Sequence, residues 1–196
     1  MNKERLTAFT DGVVAVIITI MVLEMKAPEG ASLAALWKVA PAFGSYVLSF
    51  IYVGIYWNNH HHLLQAVRSI NGRILWANLN LLFWLSLTPF CTAWMGGNEF
   101  QPVPVALYGL VLFLTGTAYY ILELQLIALH GKDSALAKAL GIDRKGIASS
   151  ALYILSVPLA FVSPWISCAI FVFVAAMWFV PDRRIERLQA QSAAED

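Results

Sequence analysis

Six long apolar stretches limit the fold of this chain more than any other feature of its sequence. They cover roughly residues 3–26, 42–66, 73–95, 104–130, 146–163 and 165–181. A helix that crosses the hydrocarbon core of a bilayer needs about 20 predominantly apolar residues. Charged residues make up only 13% of the 196 residues, against about 25% in a typical soluble domain. The sequence therefore predicts an all-α integral membrane protein, with residues 1–196 forming one bundle of six transmembrane helices.

The distribution of basic residues predicts the orientation of the bundle. In a six-span topology one side of the membrane carries Lys3, Arg5, Arg68, Arg73, Lys132, Lys138, Arg144, Lys145, Arg183, Arg184 and Arg187. The other side carries only Lys26 and Lys38. Because cytoplasmic loops hold the excess of Lys and Arg, we expect a multi-pass protein with both termini in the cytoplasm.

The chain lacks the sequence motifs of enzymes and cofactor sites. It has no nucleotide-binding loop, no zinc-type spacing of Cys and His, and no nucleophile elbow. Cys91 and Cys168 fall inside apolar stretches and are interpreted as small core residues. The loops are too short for a soluble domain, so we expect no enzyme activity, cofactor, metal or nucleic-acid partner.

Asp11 stands out because it lies inside the first apolar stretch. A helix that began after it would be about 18 Å long, too short for a hydrocarbon core of about 30 Å. The helix must therefore begin near Lys3, which places Asp11 about 12 Å inside it. We expect Asp11 to be buried in the bundle, with Arg5, His61 or Asn78 as possible partners.

Polar side chains on three further helices fall at about the same depth as Asp11. This polar layer comprises Asn58, Asn59, His60, His61 and His62 on the second stretch, Asn78 and Asn80 on the third, and Glu123 and Gln125 on the fourth. Polar groups at such a depth bond across helices, because no water is present to satisfy them. They also mark functional positions in membrane proteins, so both interpretations stay open.

The run His60-His61-His62 has three further interpretations. Consecutive residues on a helix point about 100° apart, so three adjacent histidines do not converge on one metal ion. A pH-sensing role for one imidazole is open, because His titrates near neutrality. A membrane-embedded hydrolase that uses these histidines with Glu123 is disfavoured by the same angular argument.

One face of the first helix carries small and apolar residues at helical spacing. This stripe consists of Gly12, Val16, Thr19, Leu23 and Lys26. Asp11 points about 90° or more away from it. The pattern is compatible with a pore lining, a lipid-facing surface or a seam between helices, and periodicity alone does not separate them.

The same helix carries a motif. It reads Arg5, three residues, Phe9-Thr10-Asp11 and then an aliphatic run to Leu23-Glu24. This resembles the Arg-x-x-x-Phe-Ser-Asp motif of the transmembrane protein 175 family, which comprises lysosomal potassium channels and their single-repeat prokaryotic relatives. The resemblance extends to the six-span layout, to the segment Trp57-Asn58-Asn59-His60-His61 and to the Asn-rich third stretch that runs to Pro89-Phe90.

The resemblance implies an assembly and a set of site residues. Lysosomal members carry two six-span repeats and form dimers, so one repeat implies a homotetramer around a central pore lined by the first helix. The residues five, eight and twelve after the motif Asp face the ion path in that family. The pore-lining residues here would be Val16, Thr19 and Leu23, with Gly12 on the same stripe. Arg5, Phe9, Thr10 and Asp11 would hold the first helix against the polar layer.

These inferences together predict a potassium-preferring cation channel in a bacterial plasma membrane. Its partners would be copies of itself, the lipid bilayer and permeant K⁺ ions. Apolar rings at Val16 and Leu23 would form the constriction, with Glu24 and Lys26 at the outer mouth. Val16 replaces a larger Ile or Leu that is common in the family, which predicts a wider ring.

The sequence gives one expectation about the selectivity mechanism and leaves one alternative function open. The sequence has no Thr-Val-Gly-Tyr-Gly segment, so we expect no selectivity filter of backbone carbonyls. The alternative function is a proton-coupled transporter that uses the layer of Asp, His and Asn side chains.

Overall fold

All regular structure in the described part of the chain is helical. The computed structural model describes residues 3–67, 69–131, 134–141 and 143–179. The helices are α1 (Lys3–Leu23), α2 (Leu33–Lys38), α3 (Ala40–Gln65), α4 (Gly72–Ser86), α5 (Thr88–Gly97), α6 (Pro102–His130), α7 (Ala135–Leu140), α8 (Arg144–Val162) and α9 (Pro164–Phe179). The end of the sixth predicted stretch, at residues 180–181, lies outside the described residues. So do several basic residues used to predict the orientation, namely Arg68, Lys132, Arg183, Arg184 and Arg187.

Within the described residues, five helical segments are long and apolar enough to cross a membrane. They are α1, α3, the segment Gly72–Gly97 that contains α4 and α5, α6 and α8. The described part of α9 has 16 residues and is about 24 Å long. The expected all-α membrane fold is confirmed.

Two of the predicted stretches have different helix bounds in the structure. The first helix ends at Leu23, three residues before the predicted end, and Pro28 follows in the connection to α2. The third stretch divides at Leu87, between α4 and α5. Pro89 explains the division, because proline has no N–H for the helix ladder and its ring displaces the carbonyl of the residue four positions earlier.

The buried side chains form two clusters along the bundle. One joins α1 and α4 with parts of α3 and α6, and includes Met21, Leu81 and Leu122. The other joins α5, α8 and α9 with other parts of α3 and α6, and includes Tyr108 and Phe171. The first helix belongs to the first cluster and also packs against α5.

Specific contacts fix α1 and α5 against α3. Lys3 Nζ donates a hydrogen bond to the carbonyl oxygen of Val67, 2.9 Å away, so the start of α1 lies beside the end of α3. On α5, a Cβ atom at Gly96 would lie 2.7 Å from the Cα atom of Ala42. Only glycine permits this close approach of α5 to α3.

Candidate functional site

The first helix has one buried face and one exposed face. The buried face consists of Leu6, Thr10, Val14, Ile17 and Met21, at the spacing expected for one side of a helix. Gly12, Val16, Thr19 and Leu23, the helical part of the predicted stripe, are all exposed in the single chain. Val16 is 54% exposed and Leu23 79% exposed, whereas Met21 is 2% exposed. The stripe therefore lies at the surface of the single chain, where it can face another copy of the chain, lipid or an ion pathway.

Thr19 gives this surface a polar atom with a defined orientation. Its hydroxyl group is 2.9 Å from the carbonyl oxygen of Val16 and 3.1 Å from that of Ala15. A threonine hydroxyl has one hydrogen to donate and two lone pairs with which to accept. Because the hydrogen is donated to the helix backbone, the lone pairs of the oxygen are available on the exposed side.

The buried face of α1 is joined to two other helices by a chain of hydrogen bonds. Asn78 Nδ2 donates to the hydroxyl oxygen of Thr10 at 2.9 Å, and Asn78 Oδ1 is 2.7 Å from Nε2 of His60. An amide oxygen only accepts, so His60 carries its proton on Nε2 in this arrangement. All three side chains are buried, with Thr10 1% exposed. This chain of hydrogen bonds links α1, α4 and α3 at one depth.

Asp11 has a different environment from the one expected. It is half-buried, and its Oδ1 accepts a hydrogen bond from Nε1 of Trp57 at 2.8 Å. The expectation of burial in the bundle, with Arg5, His61 or Asn78 as partner, is therefore corrected. The reason is angular, because a step of about 100° from Thr10 on the buried face places Asp11 at the border of the exposed stripe.

Trp57 connects Asp11 to the histidine run. Its ring stacks on that of His61, with centroids 5.8 Å apart, and His61 Nε2 is 2.8 Å from Nε2 of Gln65 one turn further on. His60 instead bonds Asn78, so adjacent histidines have separate partners. In the part of the chain that the structure describes, no group of three or more His, Cys, Asp or Glu side chains is placed to hold a metal ion.

The remaining predicted site residues lie around these two sets of contacts. Asn58, His62 and Asn80 are half-buried, and Nδ1 of His62 is a buried nitrogen with no hydrogen-bond partner among the described residues. Arg5 and Phe9 are exposed on the side of α1 that carries the stripe. Glu24 and Lys26 are exposed beyond the end of α1. Of the predicted polar layer, only His60 and Asn78 belong to the fully buried chain of hydrogen bonds.

Two residues of the site were not chosen as site residues by sequence reasoning, although the predicted polar layer includes His60. His60 holds Asn78, and Trp57 holds Asp11. Both belong to the segment that resembles the family, which is a usable signal. The spacing that favoured His61 and His62 does not show which imidazole faces α4, because that depends on the rotation of α3.

Comparisons with known proteins bear on the identity of this helix bundle. The sequence model described as endosomal/lysosomal potassium channel TMEM175 matches residues 5–89, which include most of α1 and all of α2, α3 and α4. Over 95% of its length the chain is 51% identical to a potassium channel of Chryseobacterium sp., and the match covers 97% of that protein. The chain belongs to the TMEM175 family.

A solved structure and a mammalian relative extend this result. The fold matches the crystal structure of a lysosomal potassium-selective channel TMEM175 homolog from Chamaesiphon minutus, with a TM-score of 0.79 and 24% identity. That match covers 92% of this chain and 97% of the other. The human endosomal/lysosomal proton channel TMEM175 is 36% identical over 80 residues, which are 35% of this chain and 16% of the human protein. The matched TMEM175 segment contains both the exposed stripe and the buried chain of hydrogen bonds.

Proposed function

We propose that this chain is a potassium-preferring cation channel in which four copies surround a central pore lined by α1. The observation that carries the proposal is the stripe of Gly12, Val16, Thr19 and Leu23, exposed opposite a well-packed buried face. An assembly around α1 gives that apolar surface a role, and membership of a potassium channel family supports it. We also propose a plasma-membrane location with cytoplasmic termini, from the distribution of Lys and Arg.

Val16 and Leu23 form the constriction in this proposal. They are about 10 Å apart along α1, so four copies would form two separate apolar rings. A narrow apolar ring loses its water and blocks ions that keep their hydration shell. Potassium gives up its water more readily than sodium, and the rings therefore favour potassium.

Thr19 lies between the two rings and supplies oxygen ligands. Because each hydroxyl donates its hydrogen to the backbone of its own helix, four oxygens would present lone pairs to the axis. These oxygens replace part of the water that a cation loses at Val16 or Leu23. Selectivity then depends on side chains and not on a carbonyl filter. Glu24 at the outer mouth raises the local cation concentration.

Ion currents test the proposal directly. Purified protein is placed in planar bilayers under a potassium/sodium gradient, and the reversal potential is measured. We expect it to lie toward the potassium equilibrium value, and to move toward zero with higher conductance in Leu23→Ala and Val16→Ala.

Leu155→Ala and Val172→Ala are matched controls. Val172 matches Val16 in residue type and exposure, and Leu155 matches Leu23 in type and is also exposed, but they lie on α9 and α8. Both controls should keep the wild-type reversal potential. Unchanged currents in both α1 variants, or equal effects in the controls, would remove Val16 and Leu23 from the pore.

A second candidate is proton conduction or proton-coupled transport through the bundle. It is favoured by the buried chain His60–Asn78–Thr10 and by the name of the human relative. This function predicts a current, or saturable uptake, driven by a pH gradient in the absence of potassium and sodium. It also predicts that His60→Gln abolishes the flux, whereas Leu23→Ala does not. The same bilayer setup therefore separates the two candidates.

A further inference from the structure

A large cavity, the chamber, lies between α3, α6, α8 and α9. Its volume is about 510 Å³, and the connection between α7 and α8 completes its wall. Described residues of α1 are not part of its lining. Sites for small molecules have volumes of about 300–1,000 Å³, so the chamber has the size of a ligand site.

Polar side chains of α3 and α6 lie side by side in the chamber wall. Tyr56 and Asn59 are neighbours on one face of α3, and Gly116 and Tyr119 have the same spacing on α6. The rings of Tyr56 and Tyr119 have centroids 6.1 Å apart. A Cβ atom at Gly116 would lie 3.5 Å from the hydroxyl oxygen of Tyr56. The missing side chain of Gly116 therefore leaves space beside that hydroxyl.

This part of the wall has hydrogen-bonding groups that the protein does not use. Within the described residues, the side chains of Tyr56, Asn59 and Tyr119 have no hydrogen-bond partner. Tyr52, further along the same wall, differs because its hydroxyl donates to the carbonyl oxygen of Phe171 at 2.6 Å. Polar groups at membrane depth need a partner, because lipid supplies none. The unused groups therefore indicate a ligand that forms hydrogen bonds.

The charged groups around the chamber favour a neutral ligand. Glu123 already interacts with another group, and Asp143 Oδ1 accepts a hydrogen bond from the backbone N–H of Gly146 at 3.0 Å. Lys145 Nζ lies 5.8 Å from the centroid of the Trp178 ring. A cationic ligand would compete with this ammonium group for the ring, and an anionic ligand would meet two carboxylates.

The shape of the chamber suits an extended apolar chain. Its lining runs from Gly116 to Ile127 on α6, a distance of about 16 Å at 1.5 Å per residue. A second cavity of about 250 Å³ adjoins it between α3 and α9, and Asn59 lines both. The lining of the second cavity includes exposed Phe50 and Phe179. A chain can therefore lie along α6 or reach the surface between α3 and α9.

We propose that the chamber binds a neutral amphiphile with one carbonyl group and one medium-length apolar chain. The carbonyl oxygen accepts hydrogen bonds from the hydroxyl groups of Tyr56 and Tyr119, since such an oxygen has two lone pairs and each phenol has one hydrogen to donate. The Asn59 amide lies next to this pair and contacts the other oxygen or nitrogen of the head group. The chain fills the apolar length of the chamber along α6.

Ligands that differ only in the head group test the proposal. Protein in nanodiscs of ether-linked phosphatidylcholine, which has no ester carbonyl, is titrated with radiolabelled methyl decanoate, and binding to empty nanodiscs is subtracted. Dodecane, decyltrimethylammonium and decanesulfonate are the competitors. We expect saturable binding of the ester and competition by dodecane at least about fivefold weaker, because an alkane forms no hydrogen bond. The two ions should compete more weakly still.

Three results would overturn the proposal. Equal competition by dodecane would mean a cavity for any apolar chain. An ion that competes as well as the ester would exclude the choice of a neutral ligand. Absence of saturable binding would mean that the chamber holds no such ligand.

Conservative variants locate the head group. Tyr56→Phe and Tyr119→Phe each remove one donor and keep the ring, so each should weaken ester binding about fivefold and leave competition by dodecane unchanged. Tyr46→Phe is the matched control, because Tyr46 also lies on α3 but outside both cavities. This control should keep the wild-type affinity for the ester. Wild-type ester affinity in both chamber variants would overturn the assignment of the two hydroxyls.

A larger residue at position 116 tests the place of binding. Gly116→Leu fills the space beside the Tyr56 hydroxyl and should reduce binding of both the ester and dodecane. Gly44→Leu is its control, because a Cβ atom there meets nothing within 4 Å and Gly44 lies outside the chamber. Size-exclusion chromatography checks the folding of each variant. If Gly116→Leu does not fold, the two Tyr→Phe variants decide. Binding is measured without conduction, so a protein that is silent in bilayers leaves this test intact.

Discussion

The two faces of α1 differ in burial and in the partners of their polar atoms. The face that contains Met21 is packed against the bundle, and its Thr10 hydroxyl is held by Asn78. The face that contains Leu23 is exposed, and within the described residues the hydroxyl of Thr19 bonds only the backbone of its own helix. Both faces are mainly apolar and both carry one threonine. Apolarity in a membrane helix therefore does not distinguish a packing surface from a surface left for a pore or for lipid.

The partners of the polar atoms separate a packing surface from a surface left for a pore or for lipid. On the buried face the polar atom is tied to a neighbouring helix, because no water can satisfy it there. On the exposed face the threonine satisfies its hydrogen locally and keeps its lone pairs outward. A substitution on the buried face should therefore change stability more than conduction. A substitution at the paired position on the exposed face should change conduction more than stability.

The largest difference is expected between Met21→Ala and Leu23→Ala. Removing a fully buried Met side chain leaves a cavity and should cost about 2–4 kcal/mol in the free energy of unfolding. Leu23 is 79% exposed, and its truncation should change that free energy by less than about 0.5 kcal/mol. Unfolding in mixed micelles measures both. Equal costs would mean that the Leu23 face is packed in the folded protein.

The next effect concerns the two asparagines of α4. Asn78→Leu leaves the buried Thr10 and His60 groups without Asn78 and should cost about 1–3 kcal/mol. The matched change Asn80→Leu, at a half-buried position, should cost clearly less. The same unfolding assay applies. A larger loss of unfolding free energy in Asn80→Leu would contradict the structural role of the buried hydrogen bonds.

A smaller effect is expected for the two threonines. Thr10→Val leaves Asn78 Nδ2 without its acceptor and should cost about 1 kcal/mol. Thr19→Val should leave stability within about 0.5 kcal/mol but lower the potassium preference in bilayers. If Thr19→Val kept the wild-type reversal potential, the hydroxyl would have no part in ion selection.

The smallest effect is the coupling between Asp11 and Trp57 at the border of the two faces. A double-mutant cycle with Asp11→Asn and Trp57→Phe isolates the hydrogen bond from other consequences of each change. Because the pair is partly exposed, we expect a coupling of about 0.5 kcal/mol. Additive single changes would show that the bond does not hold α1 to α3.

The site was predicted only in part, and particular residues show why. The spacing of Gly12, Val16, Thr19 and Leu23 identified one face of a helix, and the structure places all four on the exposed side. Their role in conduction stays a prediction. The histidine that faces α4 was not identified, since His60 and His61 differ by about 100° and a small rotation of α3 exchanges them.

The sequence by itself determined the membrane location, the helical class and the existence of two faces on α1. These follow from apolar length and from a period of 3.6 residues, which are local properties of a chain in a bilayer. Only the tertiary structure decided that Thr10 is the buried polar residue, that Trp57 and not Asn78 bonds Asp11, and that a chamber opens between α3, α6 and α8. Such pairings depend on the rotation and depth of each helix relative to its neighbours. A shift of one residue moves a side chain by about 1.5 Å along the helix and 100° around it, which is enough to change its partner.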